Sequence, residues 1–296
     1  MGIIDKLKNT AKQENKTTPE QKSTDPQKKN TRIIAIASGK GGVGKTNIAV
    51  NLGLLLNQEE EKTLLIDADF GMANIDVVLG ITPKYNLGHI IRGKCYLEDA
   101  IIAGPKELDI LPGTSGADSL INMSSIAIKR LMKTSNYIED NYSFVLIDVG
   151  AGINNDVTNF IRASDEVIVV LTPEPTSIMD AYSLIKLLKH KNYSKNINLL
   201  INQMDNQQEG KDTDRKIKNA LKYYLDLEVK TLGFIPYDSK LKQAVKKQKP
   251  VVLSYPRSRA TRALKETTGT ILKRKKEEKS RGMKGFVYRI VGFFSD

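Results

Sequence analysis

Cysteine is nearly missing from this chain of 296 residues: Cys95 stands alone, so no internal disulfide framework can form, and the composition suits a reducing compartment. Nowhere do about 18 apolar residues run together, which argues against a membrane-spanning helix. The opening residues MGIIDKLKNTAKQENK lack the apolar core of a signal peptide, and Lys6 stands where an N-myristoylation signal needs Ser or Thr. A cytoplasmic chain is the expectation. Acidic residues are also scarce, 34 against 46 Lys and Arg, but the deficit is local. Residues 1–32 carry eight cations against four acids and residues 257–296 twelve against four, whereas 33–256 hold twenty-six of each sign. A neutral body with basic ends argues against a broad nucleic-acid-binding face and for local electrostatic contacts made by the ends.

Residues 10–30 are rich in Lys, Gln, Thr, Asn and Pro with almost nothing apolar to bury, the composition of a disordered linker. Ahead of it, Ile3, Ile4 and Leu7 form either a short docking turn or a frayed terminus. From Arg32 onward the pattern changes. RIIAIAS, TLLIDAD, LDILPG, FVLIDVG, EVIVVLTP, INLLINQ and KTLGFIP are short apolar runs of the kind that forms strands buried on both faces. Helical stretches at 45–57, 126–140, 176–190 and 213–226 lie between them. This alternation predicts a doubly wound α/β fold with a mostly parallel sheet, whose ligands sit beyond the carboxyl ends of the strands. The expected organisation is an N-terminal segment (1–30), an α/β domain (31–275) and a C-terminal basic linker and helix (276–296).

Three motifs fall at strand ends. Gly39-x4-Gly44-Lys45-Thr46 follows a strand and opens a helix, as a phosphate-binding loop requires: its backbone N–H groups wrap phosphates, Lys45 reaches the β- and γ-phosphates, and Thr46 holds Mg²⁺. In LLIDADFGMANID, Asp67 and Asp69 leave a strand that is otherwise apolar; one can orient or deprotonate an attacking water while the other shapes the loop. In FVLIDVGAG, Asp148 at a strand tip suits the water shell of Mg²⁺, and Gly150 and Gly152 permit a backbone that approaches a γ-phosphate and swings away after hydrolysis. Asn202, Pro236 and Asp238 end two further strands; an Asn amide can both donate to and accept from an adenine edge, though Asn is equally a common turn residue.

Taken together, KGGVGKT, DAD and DVGAG resemble the MinD/ParA class of deviant Walker A ATPases over about residues 31–275. Within that class GMANIDVVLGI, PEPTSIMDAY and PVVLSYPRSRA are most similar to the flagellar-number-regulator (FlhG) branch. The resemblance implies ATP and Mg²⁺ bound by Gly39, Lys40, Gly41, Gly42, Val43, Gly44, Lys45, Thr46 and Asn47. It further implies Asp69 as the water-activating carboxylate, Asp148 as the Walker B acid, and Asn202, Pro236 and Asp238 as the adenine pocket. Lys40 matches the signature lysine that crosses to the partner's phosphates when two ATP-bound monomers close into a homodimer, with Asn74, Glu174 and Asp180 on the same face. Partners implied are a flagellar GTPase of the signal-recognition-particle type, basal-body proteins and a flagellar transcription regulator. The N-terminal DQAxxLR motif of some members is lacking. A division-site MinD and a ParA-type DNA-partition ATPase are the rival readings of the same chemistry.

At the C-terminus Met283, Phe286, Val287, Ile290, Val291 and Phe294 fall at helical spacing on one stripe, with Lys279, Arg281, Lys284 and Arg289 beside or behind it. Such a helix can lie in a membrane interface, with basic residues next to anionic lipid on the inner face of the cell membrane, or pack on the chain's own core. The terminal position, the charged run before it and the family resemblance favour the membrane.

Overall fold

Seven apolar runs become seven strands because each is long enough to pair and too apolar to face water on either side. The structure, a computed structural model, describes residues 31–69, 74–113, 125–193, 196–275 and 280–295. Strands β1 (Arg32–Ser38), β2 (Thr63–Ala68), β4 (Asp109–Leu111), β5 (Phe144–Ala151), β6 (Glu166–Leu171), β7 (Ile197–Met204) and β8 (Lys230–Pro236) run parallel. The two-residue β3 (Ile102–Ala103) adds an antiparallel edge that the sequence pattern does not reveal, giving the order β3-β4-β2-β5-β1-β6-β7-β8. Strand β1 lies between β5 and β6, so the loop that follows it emerges in the middle of the sheet.

Helix α1 (Lys45–Gln58) is apolar nearly all round and correspondingly central. Its one buried amide, Asn51, donates to the Asn47 carbonyl (2.7 Å) and accepts from Val252 N–H (3.1 Å), so burial leaves it satisfied. Short helices α2 (Ile75–Leu79), α3 (Leu87–Ile91) and α4 (Leu97–Ala100) precede the edge strands. Then come α5 (Ser125–Asn141), α6 (Asn155–Ala163), α7 (Pro175–His190) and α8 (Gln207–Leu225), followed by α9 (Ser239–Lys246), α10 (Val251–Ser254), α11 (Arg259–Lys275) and α12 (Gly282–Ser295). The α8 helix starts six residues before the expected 213 because Asn206 caps it, accepting from Glu209 N–H at 3.0 Å.

The C-terminal helix is where expectation and structure part. Instead of standing apart as a tail, α12 packs against α5 and α6. Met283, Phe286, Val287 and Ile290 are each 5% exposed and Val291 2%; Phe294 continues the stripe in sequence, but its side chain lies outside the described residues. Phe286 meets Phe160 with ring centroids 6.2 Å apart. Arg289, expected at the edge of the stripe, turns inward and donates from Nε to the Ala163 carbonyl at 2.8 Å. Asp165 clasps the start of the segment, accepting from Ser280 Oγ (2.8 Å) and Arg281 N–H (3.0 Å). The stripe therefore covers the protein's own core.

A cavity of about 50 Å³ between α12 and the core, lined by Ile66, Leu131, Phe160 and Phe286, shows that the fit is incomplete. Removing residues 280–296 is expected to lower the Tm and increase binding of an apolar dye, through exposure of Leu87, Leu131, Ile138 and Phe160. An unchanged melting curve would mean that the helix does not dock in solution.

Candidate functional site

The phosphate loop folds as its glycines dictate. Gly42 (φ 80°) and Gly44 (φ 90°) sit in the left-handed region, and Gly44 opens α1. Gly39 is required for space: a Cβ there would collide with the backbone carbonyl of Asp180 on α7. Beneath the loop, Asn202 is 4% exposed and donates from Nδ2 to the Val43 carbonyl at 2.8 Å. Its neighbour Gln203 is exposed, holds φ 59°, and directs Nε2 towards the Gly42 carbonyl at 3.5 Å.

Three carboxylates converge beside this loop, as the sequence predicts. Asp67 and Asp148 are register partners on β2 and β5, and Asp69 follows β2 with a carboxylate oxygen against Gly150. Lys45 Nζ lies 2.8 Å from Asp148 Oδ1, and the pair is almost fully buried. Burial pushes the Asp148 carboxyl up, while the Lys45 ammonium and the Thr46 hydroxyl pull it down. Lys45 thus places a cation on the acid expected to face Mg²⁺. One buried carboxylate and one hydroxyl cannot form a complete metal cage, and no cluster of three or more His, Cys, Asp or Glu able to hold a metal occurs among the described residues. The set does suit Mg²⁺, which keeps several waters and takes phosphate oxygens as ligands. Asp148 and Thr46 would hold the ion, and its charge would offset the negative charge of the phosphates.

Asp67 shapes the loop. Its carboxylate accepts from the backbone N–H groups of Asp69 (3.0 Å), Asn74 (3.1 Å) and Ile75 (3.2 Å), bracketing the segment between β2 and α2. Burial and the neighbouring Asp148 raise its pKa to about 6, against the three N–H donors. A raised carboxyl pKa means that protonation favours the fold. The contribution is fully present below the unfolded value of 3.8 and is lost as pH rises through about 6, roughly 3 kcal/mol in all. In urea titrations from pH 4 to 7, Asp67→Asn is expected to lack this falling component, so the stability difference between the two proteins changes with pH. Parallel pH profiles would refute it.

Lys40 does not join the phosphate side of the loop. Its Nζ pairs with Glu174 Oε2 at 2.6 Å and with Thr176 Oγ1 at 3.0 Å, at the N-terminus of α7 and in the open. Lys40, Glu174 and Asp180 are thereby brought to one face, and Asn74 precedes α2 with its backbone N–H donating to Asp67. Ile153 and Met179, exposed apolar side chains that the motifs do not single out, are 53% and 63% exposed. Of the three adenine candidates, Pro236 is buried at the end of β8 and Asn202 is spent on the loop. Asp238 caps α9: although partial burial opposes it, the N–H groups of Ala260 and Lys240 hold its carboxyl below the ordinary range. Gln203 and Tyr237 are among the polar groups exposed at those strand ends.

The family model described as AAA domain matches residues 31–201. The antiactivator FleN of Pseudomonas aeruginosa is 41% identical over 234 residues, 79% of this chain and 84% of its own length. The flagellum site-determining protein YlxH of Helicobacter pylori is 32% identical over 271 residues, 90% of this chain and 92% of its own. Among solved structures, the septum site-determining protein MinD of Pyrococcus horikoshii, complexed with Mg-ADP, superposes with a TM-score of 0.66 at 27% identity, covering 81% of this chain and 96% of that one. With a glycine-rich phosphate-loop motif and three carboxylates at neighbouring strand ends, the chain belongs to the MinD/ParA class of P-loop ATPases, near FleN and YlxH.

Proposed function

We propose that this ATPase is a nucleotide-driven membrane switch that sets flagellar number or placement. Two ATP-bound copies close face to face, each presenting Lys40 to the other's phosphates, and hydrolysis reopens them. The observation that carries this reading is the placement of Lys40: a cation of the phosphate loop directed away from its own subunit's buried Lys45–Asp148 pair and held on an exposed face. The exposed Ile153 and Met179 supply the apolar surface that such a face needs. Adenine is read at the ends of β7 and β8, where Asn202 and Asp238 shape the pocket and Gln203 and Tyr237 are accessible.

Membrane attachment uses α12 and requires it to leave α5 and α6, because the stripe cannot face lipid and core at once. The cavity left between α12 and the core favours its release. Lipid offers the same apolar side chains an equivalent environment and adds about 1 kcal/mol per exposed cation, here Arg281 and Lys284. One such helix binds marginally, whereas a dimer presents two, which makes attachment depend on nucleotide. The target process is taken from relatives whose names say antiactivator and flagellum site-determining.

Sedimentation with anionic vesicles tests the switch. The full chain is expected to sediment with a non-hydrolysable ATP analogue and Mg²⁺, and to remain in the supernatant with ADP. Equal sedimentation in both, or in neither, would refute it. A deletion strain scored for the number and position of flagella tests the process.

A further inference from the structure

A groove of about 640 Å³ opens on the edge-strand side of the molecule, between the turn that joins α3 to α4 and one face of α5. None of the residues lining it belongs to the phosphate loop, to the three carboxylates or to the Lys40 face. Its floor is preorganised. Gly93 closes α3 with φ 71°, and a Cβ there would occupy the space taken by the Arg130 guanidinium. Arg130 Nη1 also reaches the Ile91 carbonyl at 3.4 Å, so the guanidinium is seated over the turn with most of its five donors uncommitted among the described residues.

Charge in the groove is unbalanced. Lys94, Arg130 and Lys133 line it, and none of the three forms an ion pair among the described residues. Two carboxylates, Glu98 and Asp99, also line it, which leaves one cation in excess; Asp99 is held back at the start of α4, accepting from Tyr96 N–H at 2.9 Å. Tyr96 stands on the rim, 74% exposed, and Tyr137 and Leu97 extend the apolar surface inward. An uncovered aromatic beside an anchored arginine is the composition of an interface hot spot.

We propose that this groove docks an acidic segment of a partner protein, whose carboxylates pair with Arg130 and Lys133 and whose large apolar side chain lies against Tyr96. An extended chain suits the site better than a small anion, because the groove is open along one side and its largest apolar group lies at the edge. The proposal is independent of the nucleotide switch.

The test is selection of a random-peptide display library on the full-length protein. Selected peptides are expected to combine paired Asp or Glu with a large apolar residue. As fluorescein-labelled synthetic peptides they are expected to bind with an affinity that weakens as salt is raised. Arg130→Glu with Lys133→Glu is expected to cost about tenfold or more in affinity and Tyr96→Ala a smaller factor, with ATP hydrolysis and the far-UV circular dichroism unchanged. Should the charge reversals unfold α5, Arg130→Gln with Lys133→Gln gives the same comparison. Peptides without acidic bias, or undiminished binding to the charge-reversed protein, overturn the proposal. So does a result in which tripolyphosphate is the sole ligand sensitive to Arg130 and Lys133, which would make the groove a small-anion site.

Discussion

Asp69→Ala is expected to bind ATP with unchanged affinity while its hydrolysis falls by about 10²–10⁴-fold, the usual contribution of a positioned general base. The geometry explains why these two properties separate. Asp69 follows β2 and places its carboxylate against Gly150 of the β5 strand end, whereas the proposed phosphate contacts belong to the loop after β1 and to Lys45. Removing Asp69 leaves the loop, the Lys45–Asp148 pair and the Asp67 bracket in place. In the proposed cycle a chain that binds but does not hydrolyse accumulates as the closed dimer. The variant should therefore sediment with anionic vesicles in ATP as wild type does only with the non-hydrolysable analogue. Single-turnover hydrolysis, nucleotide titration and vesicle sedimentation on the same preparation give the three readouts. Loss of ATP binding would make Asp69 a structural residue; wild-type hydrolysis would remove it from the chemistry.

The residues that proved legible in the sequence act through short segments. A phosphate loop is defined by glycines within a few positions, and Gly42 and Gly44 take the positive φ angles that the motif demands. Asp67 and Asp148 could be singled out without a structure because each interrupts an apolar strand towards its end; that β2 pairs with β5 and sets them side by side comes from the fold. What the sequence leaves open is which surface an element faces. The α12 stripe has the spacing of a membrane helix and of a core helix alike, and the groove formed by Leu87, Leu131, Ile138 and Phe160 comes from three segments far apart in the chain. The role of Asn202 and the second contact of Asp238 are hidden for the same reason: their partners, Val43 and Ala260, lie 159 and 22 residues away. The α6 helix is short, and its cap, Asn154, follows a glycine-rich strand end that looks like loop in isolation.

Lys40→Ala carries the other large effect. The monomer is expected to keep its nucleotide affinity to within about threefold, since Lys40 Nζ is engaged with Glu174 and Thr176 rather than with the phosphate side of the loop. The ATP-dependent dimer is expected to vanish. Hydrolysis should fall by about 10³-fold or more, the range seen when a cation supplied in trans to a transferring phosphoryl group is removed. The ion pair with Glu174 does not prevent the crossing: its side chains are 38% and 63% exposed, and such a pair contributes at most about 1 kcal/mol. Glu174→Ala therefore offers a contrast of modest size. It frees Lys40 and strengthens dimerisation by no more than about fivefold, unless Glu174 makes a contact of its own across the interface, in which case the dimer weakens instead. Light scattering of both variants in ADP and in the non-hydrolysable analogue resolves these outcomes. A normal ATP-dependent dimer in Lys40→Ala would rule out the crossing lysine and return the residue to a local role at the start of α7.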